Sequence, residues 1–232
     1  MELQKQFHYN KKWNRLIACI LYPVTLELIF HWIVFPRSSD SVVYLAYFAA
    51  FIGLCLYFVT GLFQSVVNRV LFYVFAVAVW IYFAVQLIYQ YVFRVFFSFA
   101  SMFAVGGDVL QFRNQIFNAI VANLGYLLLL LLPLVLVVLS SVWLFGFERE
   151  NWKHSLAFAG SACALYGGFY LLLLQGGTDE FSPYDLYKNE WVEEFGVERL
   201  GLFITVGKDI KGLGPGEERA EAGEDIVIIT RA

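Results

Sequence analysis

Glu27 and His31 are the residues whose types and spacing best fit chemistry inside a membrane. They lie four positions apart in an apolar segment, so a helix would place both on one face. A carboxylate at membrane depth is costly, so it should face protein and find a partner. Two interpretations stay open: a lipid-headgroup contact or proton-linked site, and a structural carboxyl group that fastens two helices. We expect Glu27 to point into a helical bundle and to pair with a backbone carbonyl, His31 or Arg113.

A second polar segment runs from residue 94 to residue 123. Its apolar positions 109, 112, 116 and 120 share one helical face, and its polar positions 111, 114, 115 and 118 share the other. This pattern predicts an amphipathic helix at the outer membrane interface, with Asp108 as its N-cap. The helix either meets lipid headgroups or a partner domain, or only connects and covers the bundle. The candidate residues for a lipid-headgroup or interface contact are Glu27, His31, Asp108, Gln111, Arg113 and Asn114.

No set of residues in the sequence has the pattern of a catalytic or metal-binding site. His8, His31 and His154 are scattered, whereas a catalytic zinc site needs three clustered ligands. The region after residue 174 contains neither His nor Cys. A nucleophile elbow, a phosphate-binding loop and a paired-carboxylate cleft are also missing from the sequence. We therefore expect no catalytic residue, no metal site and no cofactor in this chain.

The elements that must position these residues follow from the composition. Of the 232 residues, 60% are hydrophobic and only 15% are charged, compared with about a half and a quarter in soluble domains. Residues 1–174 carry ten Lys/Arg and six Asp/Glu, whereas residues 175–232 carry six and thirteen. An apolar, weakly basic body thus precedes a short acidic tail. Nucleic acid is excluded as a partner, because no basic stripe is present to neutralise phosphates.

Five apolar segments are long enough to cross a bilayer, which takes about 20 helical residues. They cover residues 16–35, 42–63, 70–93, 124–145 and 155–174. Basic residues are more frequent on one side of these segments than on the other. Seven lie on one side (Lys5, Lys11, Lys12, Arg15, Arg69, Arg149 and Lys153) and three on the other (Arg37, Arg94 and Arg113). The richer side is typically cytoplasmic, which predicts a cytoplasmic N-terminus and an exterior tail.

The tail contains one clear helix start. Ser182 can cap a helix whose first residue is Pro183. Trp191 and Phe195 then share one side of the predicted helix, which we expect to rest on the outer leaflet.

The sequence therefore predicts an all-α membrane protein with five transmembrane helices, an interfacial amphipathic helix and a short exterior tail. Residues 1–174 form the membrane domain and residues 175–211 an exterior stem with an amphipathic helix. Residues 212–232 begin with a linker composition and end in an apolar stretch typical of a strand. We interpret this last part as a linker and the start of a further domain.

Four stretches, taken in order, carry a resemblance to a known family. They are Leu26-Glu27-Leu28 with Arg37-Ser38, Gln86-Leu87-Ile88-Tyr89 to Phe93 with Phe96-Phe97-Ser98, Asp108 to Asn123, and Ser182-Pro183-Tyr184-Asp185-Leu186-Tyr187 with Leu200-Gly201-Leu202 and Lys208-Asp209-Ile210-Lys211. Together with five spans they resemble the N-terminal membrane region of the lipoteichoic acid synthase family. Its members are phosphoglycerol transferases of the sulfatase-like, alkaline-phosphatase-like superfamily. The resemblance covers most of residues 14–212.

The resemblance implies a protein of a bacterial cell membrane in which anchoring and catalysis belong to separate domains. In that family the membrane region anchors an exterior catalytic domain, which uses a threonine nucleophile and a divalent metal, typically manganese. The domain takes glycerol phosphate from phosphatidylglycerol and leaves diacylglycerol. The present sequence stops where that domain would begin, so no catalytic residue can be carried over. This implies either a fragment or a gene product that keeps only the anchor.

The partners implied for such an anchor are membrane lipids, anionic phospholipid among them, and an exterior catalytic domain or partner protein. Two alternatives come from other functional classes. One is a small lipid or solute transporter, although no inverted repeat is visible in the sequence. The other is a regulator that binds a membrane enzyme through the small residues Gly160, Ala164 and Gly168 of the last span. Packing inside the bundle is the other interpretation of these small residues.

Overall fold

The structure is a computed structural model that describes residues 2–36, 41–97, 112–189 and 193–212. These residues form helices joined by short connections and contain no strand. The helices are α1 (Glu2–Val34), α2 (Val42–Val59), α3 (Ser65–Phe93), α4 (Arg113–Ala122), α5 (Leu124–Leu144), α6 (Trp152–Gln175), α7 (Pro183–Lys188), α8 (Glu193–Leu200) and α9 (Leu202–Gly212).

Five of these helices are long and apolar enough to cross a membrane. They are α2, α3, α5, α6 and the part of α1 from Asn10 to Val34. The predicted all-α membrane fold with five spans is therefore confirmed. The largest difference from the predicted bounds is at the N-terminus, where α1 begins at Glu2 rather than at Leu16. Charged residues such as Lys11 and Lys12 are good helix formers, so they extend the helix beyond its apolar part.

Helices α1 and α2 form the most extensive interface among the described helices and approach each other closely at Gly53. A Cβ atom at Gly53 of α2 would lie 2.4 Å from the carbonyl oxygen of Cys19 and 2.6 Å from the Cα of Ile20 in α1. Only glycine leaves room for two helix backbones at this separation. Gly53 therefore sets the distance between the first two spans.

Aromatic side chains fill the interior on the other side of α1. Phe30 of α1 meets Phe83 of α3 edge to face, with ring centroids 5.4 Å apart. Phe72 of α3 packs in the same geometry against Phe145, which follows α5, at 5.7 Å. The hydroxyl of Tyr22 donates to the carbonyl of Ala76 and joins α1 to α3. Because lipid tails are as apolar as the core, such close packing is what holds membrane helices together.

Helix α6 lies at the edge of the bundle, where it packs mainly on α2. Packing inside the bundle is the correct interpretation for Gly168, since an added Cβ would clash with the hydroxyl of Tyr47. It is wrong for the other two small residues. Gly160 and Ala164 are exposed, and Gly160 has space for a Cβ with no atom within 4 Å. The helix turns only one of its faces toward α2, so these two small residues face away from the bundle.

The described part of the interfacial segment is a helix. Helix α4 begins at Arg113, with Phe112 as its N-cap. The Phe112 ring packs on Phe93 at the end of α3, with ring centroids 5.3 Å apart. Asp108 and Gln111 lie outside the described residues. Ala119 is the fully buried residue of α4.

The stem is the part of the fold that departs most from expectation. Ser182 caps α7 as predicted, and its hydroxyl accepts a hydrogen bond from the amide of Asp185. The predicted helix through Phe195 is wrong, because α7 ends at Lys188 and α8 starts at Glu193; Trp191 lies outside the described residues. The stem does not simply rest on the membrane surface. Its α8–α9 turn enters the bundle and packs against α2, burying Leu200, Leu202 and Ile204.

Candidate functional site

Glu27 is the centre of the first polar site, at the point where the stem enters the bundle. Its side chain is 1% exposed, which confirms the prediction that it points into the bundle. The Oε1 atom accepts a hydrogen bond from the backbone amide of Leu202, the first residue of α9. The first amides of a helix have no partner within it, and they attract negative charge. Glu27 of α1 therefore caps the N-terminus of α9.

The turn between α8 and α9 fits this carboxyl group closely. Gly201 has φ +94°, a left-handed conformation that side chains rarely adopt. A Cβ on Gly201 would lie 2.5 Å from the Oε1 of Glu27 and 2.5 Å from the Cδ2 of Leu45. Gly201 is thus required both by its backbone angle and by the approach to two side chains. The other carboxyl oxygen, Oε2, is buried and has no hydrogen-bond partner among the described residues.

The predicted hydrogen-bond partner of Glu27 is wrong. The sequence predicted a backbone carbonyl, His31 or Arg113, whereas the donor is the backbone amide of Leu202, 175 positions away in the chain. Arg113 and Asn114 are exposed in the first turn of α4, and neither makes a hydrogen bond or ion pair with Glu27 among the described residues. His31 is buried as well, at 5% exposure, and its ring lies 5.3 Å from that of Phe35. The lipid-headgroup role of these residues stays a prediction.

A group of tyrosines ties the stem to α6 beside this site. The hydroxyls of Tyr166 and Tyr187 are 2.6 Å apart, and those of Tyr170 and Tyr184 are 3.4 Å apart. Burial raises the pKa of Tyr187 to about 12, and the hydrogen bond with Tyr166 acts in the same direction. Phe169 fills the space between the pairs and stacks edge-on against Tyr187. Helix α7 is therefore attached to α6 through paired hydroxyls.

A second polar site lies at the opposite end of the bundle and centres on Arg15. This arginine is fully buried at 0% exposure. Its Nη2 atom donates to the Oε1 of Glu150 at 3.3 Å, and its Nη1 atom donates to the carbonyl of Thr60 at 3.4 Å. The guanidinium also lies 4.5 Å from the centre of the Tyr57 ring. A buried charge needs such compensation, because desolvation of an unpaired ion is very costly.

Glu150 is the acceptor for several donors at this end. Tyr57 donates its hydroxyl proton to Oε1 at 3.0 Å, and Lys12 donates to Oε2 at 3.0 Å. His154 lies farther away, with Nδ1 at 3.9 Å from Oε2. The backbone amide of Glu150 also donates to the carbonyl of Gly61 at 2.9 Å. The Glu150 side chain thus joins α1 and α2 to the α5–α6 connection, and its backbone amide adds a bond to the α2–α3 connection.

Asn68 completes this end of the bundle. Its amide nitrogen donates to the carbonyls of Phe63 and Phe147, and its oxygen accepts from the amide of Phe63. Asn68 is 0% exposed, and these bonds satisfy both halves of its side chain. The α2–α3 and α5–α6 connections are therefore fixed to each other.

Neither polar site has the composition of a metal or hydrolytic centre. No group of three His, Cys, Asp or Glu that could hold a metal ion occurs in the part of the chain that the structure describes. Each site contains one carboxylate whose contacts are with protein donors, an arrangement that fastens helices. No family model, no curated protein and no solved structure matches this chain.

The second site was not predicted from the sequence. Arg15 and Arg149 served there only as markers of the basic side, and Glu150 had no predicted role. A signal was present, since Glu150 is an acidic residue next to a span on the side rich in Lys and Arg. That pattern favours an ion pair with one of the neighbouring cations. It does not select Arg15, which lies 135 positions earlier in the chain.

Proposed function

We propose that this chain is the membrane anchor and lipid-presenting domain of a lipoteichoic acid synthase-like phosphoglycerol transferase in a bacterial cell membrane. The N-terminus is cytoplasmic and the stem exterior. The support for the family comes from the order of the four sequence stretches, and the support for the anchor comes from the five spans. The chain itself contributes no catalytic residue in this proposal. The manganese of the family belongs to its catalytic domain, and the described residues of this chain do not fit a metal site.

The observation that carries the proposal is the docking of the stem at Glu27. A tether that only prevents diffusion needs no contact between the stem and the bundle. Here α8 and α9 bury Val197, Leu200, Leu202 and Ile204, and the Leu202 amide is bonded to the first span. The end of α9 is therefore held in one position relative to the membrane. An enzyme that removes a headgroup from a membrane lipid needs its catalytic domain at a defined height.

A chimera tests this function directly. Residues 1–212 are joined to the exterior catalytic domain of a lipoteichoic acid synthase and expressed in a bacterium that lacks its own synthase. We expect polymer of glycerol phosphate to accumulate, measured by extraction and blotting. A single-span helix on the same domain is the matched control and should give less polymer. The proposal is wrong if the chimera is exported and folded but makes no more polymer than the control.

A point variant separates docking from simple anchoring. The chimera with Gly201→Ala should reach the membrane but make less polymer, because the side chain displaces the stem from Glu27. The chimera with Gly207→Ala should keep its activity, since that position has open space. Equal polymer from both variants would show that docking of the stem does not matter for the reaction.

A further inference from the structure

A groove opens between the end of α2 and the start of α6, at the end of the bundle that contains Arg15. Its volume is about 550 Å³. Phe58 and Leu62 form one apolar wall, and Leu156 and Ala159 form the other. Leu156 is 65% exposed, so this wall continues onto the outward surface of α6. The groove is therefore open to the lipid around the bundle and is shaped for a hydrocarbon chain.

The mouth of the groove is polar and basic. Arg149 and Ser155 line it, and Trp152 stands beside them with 70% of its surface exposed. Tryptophan favours the level of the lipid headgroups, so this residue marks the position of the membrane interface.

Arg149 is a cation available for a ligand. Glu150 also borders the groove, but it is already engaged by Arg15 and Lys12. Arg149 is exposed and takes part in none of the ion pairs of the described residues. Among the side chains that the structure describes, those with a charge at this end are Lys11, Lys12, Arg15, Arg69, Arg149 and Lys153, against Glu148 and Glu150. This excess of positive charge favours an anion.

We propose that the groove binds one anionic phospholipid from the leaflet at this end of the bundle. The headgroup phosphate contacts Arg149 at the mouth, and one acyl chain lies between Phe58 and Leu156. Trp152 packs at the level of the glycerol backbone. An apolar wall that continues into the lipid phase favours a phospholipid over a soluble anion. The site lies at the opposite end of the bundle from the docked stem, so this inference does not rest on the proposed function.

Lipid-dependent thermal unfolding of the purified full chain tests the proposal. The protein in a neutral detergent is titrated with phosphatidylglycerol or with phosphatidylcholine of the same acyl chains. We expect phosphatidylglycerol to raise the unfolding midpoint and phosphatidylcholine to have little effect. Arg149→Gln should weaken the apparent affinity for phosphatidylglycerol by about fivefold, which corresponds to one basic residue at an anionic surface. Ala159→Phe fills the apolar part and should abolish the response.

Arg69→Gln is the matched control, because Arg69 is exposed at the same end but does not line the groove. It removes the same charge and should leave the affinity unchanged. Equal losses in Arg149→Gln and Arg69→Gln would overturn the proposal, as would equal responses to the two lipids or no response at all. A response to glycerol 1-phosphate alone would also overturn it, since the site would then bind a soluble anion.

The position of the acyl chain has an independent readout. The fluorescence of Trp152 is the difference between the emission of the wild type and that of Trp152→Phe. Phosphatidylglycerol with brominated acyl chains should quench this contribution. The quenching should disappear in Ala159→Phe and persist in Arg69→Gln. If the Trp152 signal is quenched as strongly in Ala159→Phe as in the wild type, the acyl chain does not enter the groove.

Discussion

The guanidinium of Arg15 and the carboxylate of Glu150 are 3.3 Å apart inside the bundle, although 135 positions separate them in the chain. Both side chains are buried, Arg15 completely and Glu150 with 4% exposed. The pair connects the first span to the connection before the last one. Because each ion is compensated by the other and by Tyr57, the end of the bundle can exclude water without leaving a charge unpaired.

Removal of the carboxylate at this site should be strongly destabilising. We expect Glu150→Gln to lower the free energy of unfolding by about 3–5 kcal/mol, because Arg15 is then left as a buried, uncompensated charge. Lys12→Gln should cost less than about 1 kcal/mol, because the lysine side chain is 27% exposed. Chemical unfolding in detergent measures both. Similar losses for the two variants would contradict the assignment of Arg15 as the main partner.

The Glu27 carboxyl group should be replaceable by an amide but not by a hydrocarbon. Glu27→Gln retains an oxygen that accepts from the Leu202 amide, so we expect a small effect. Glu27→Leu leaves that buried amide without a partner and should cost about 1–3 kcal/mol. Limited proteolysis of the stem gives a second readout, since cleavage within α8 and α9 should accelerate only in the leucine variant. Equal unfolding midpoints and equal cleavage for all three proteins would show that Glu27 does not hold the stem.

Gly201 and Gly207 form a matched pair in the stem. Gly201→Ala places a Cβ against Glu27 and Leu45 and forces a positive φ on alanine, which alone costs about 1–2 kcal/mol. Gly207→Ala lies within α9 with no atom within 4 Å and should stabilise by up to about 1 kcal/mol. Thermal unfolding in detergent distinguishes the two. Stabilisation by both substitutions would mean that the turn does not approach Glu27.

The predicted orientation can be checked with reporter fusions. Alkaline phosphatase joined after Gly212 should be active, because the basic residues predict an exterior stem. The same enzyme joined after Gln64, between α2 and α3, should be inactive. A cytoplasmic fluorescent reporter gives the inverse pattern. Fluorescence after Gly212 would require the opposite orientation and would exclude an exterior catalytic domain at that end.

The raised pKa of Tyr187 predicts a loss of stability at alkaline pH. In the unfolded chain the phenol ionises near its ordinary pKa of 10, whereas burial keeps it protonated in the fold to about 12. The folded state therefore binds more protons in this interval, and stability falls as the pH rises from 10 towards 12. Tyr187→Phe lacks this contribution, so its stability should fall less over the same interval. Tyr126→Phe, which removes a hydroxyl from an exposed side chain, is the control and should behave like the wild type.

The sequence was sufficient for features that depend on composition or on neighbouring residues. Apolar length located the five spans, and the Ser182–Pro183 pair located the start of α7. The cost of a carboxylate in a membrane predicted that Glu27 is buried. Its partner could not be predicted, because a backbone amide is present at almost every residue and carries no sequence signal. The position of Leu202 beside Glu27 depends on how the stem folds back.

The start of α4 shows the same limit on prediction from sequence. This helix begins at Arg113, where the ring of the preceding residue, Phe112, meets Phe93 at the end of α3. The contact joins two elements that are separated in the chain, and sequence periodicity gives no information on such a contact.

The hydrogen bond between Leu202 and Glu27 also has a consequence for biosynthesis. A ribosome adds about 5–20 residues per second, so about 10–35 s pass between the synthesis of Glu27 and that of its donor. During this delay the first span is already at the insertion machinery with an acidic group that lacks its native contact. We expect nascent chains shorter than 202 residues to remain associated with a membrane insertase or chaperone. The bundle is then released only once α9 has been made.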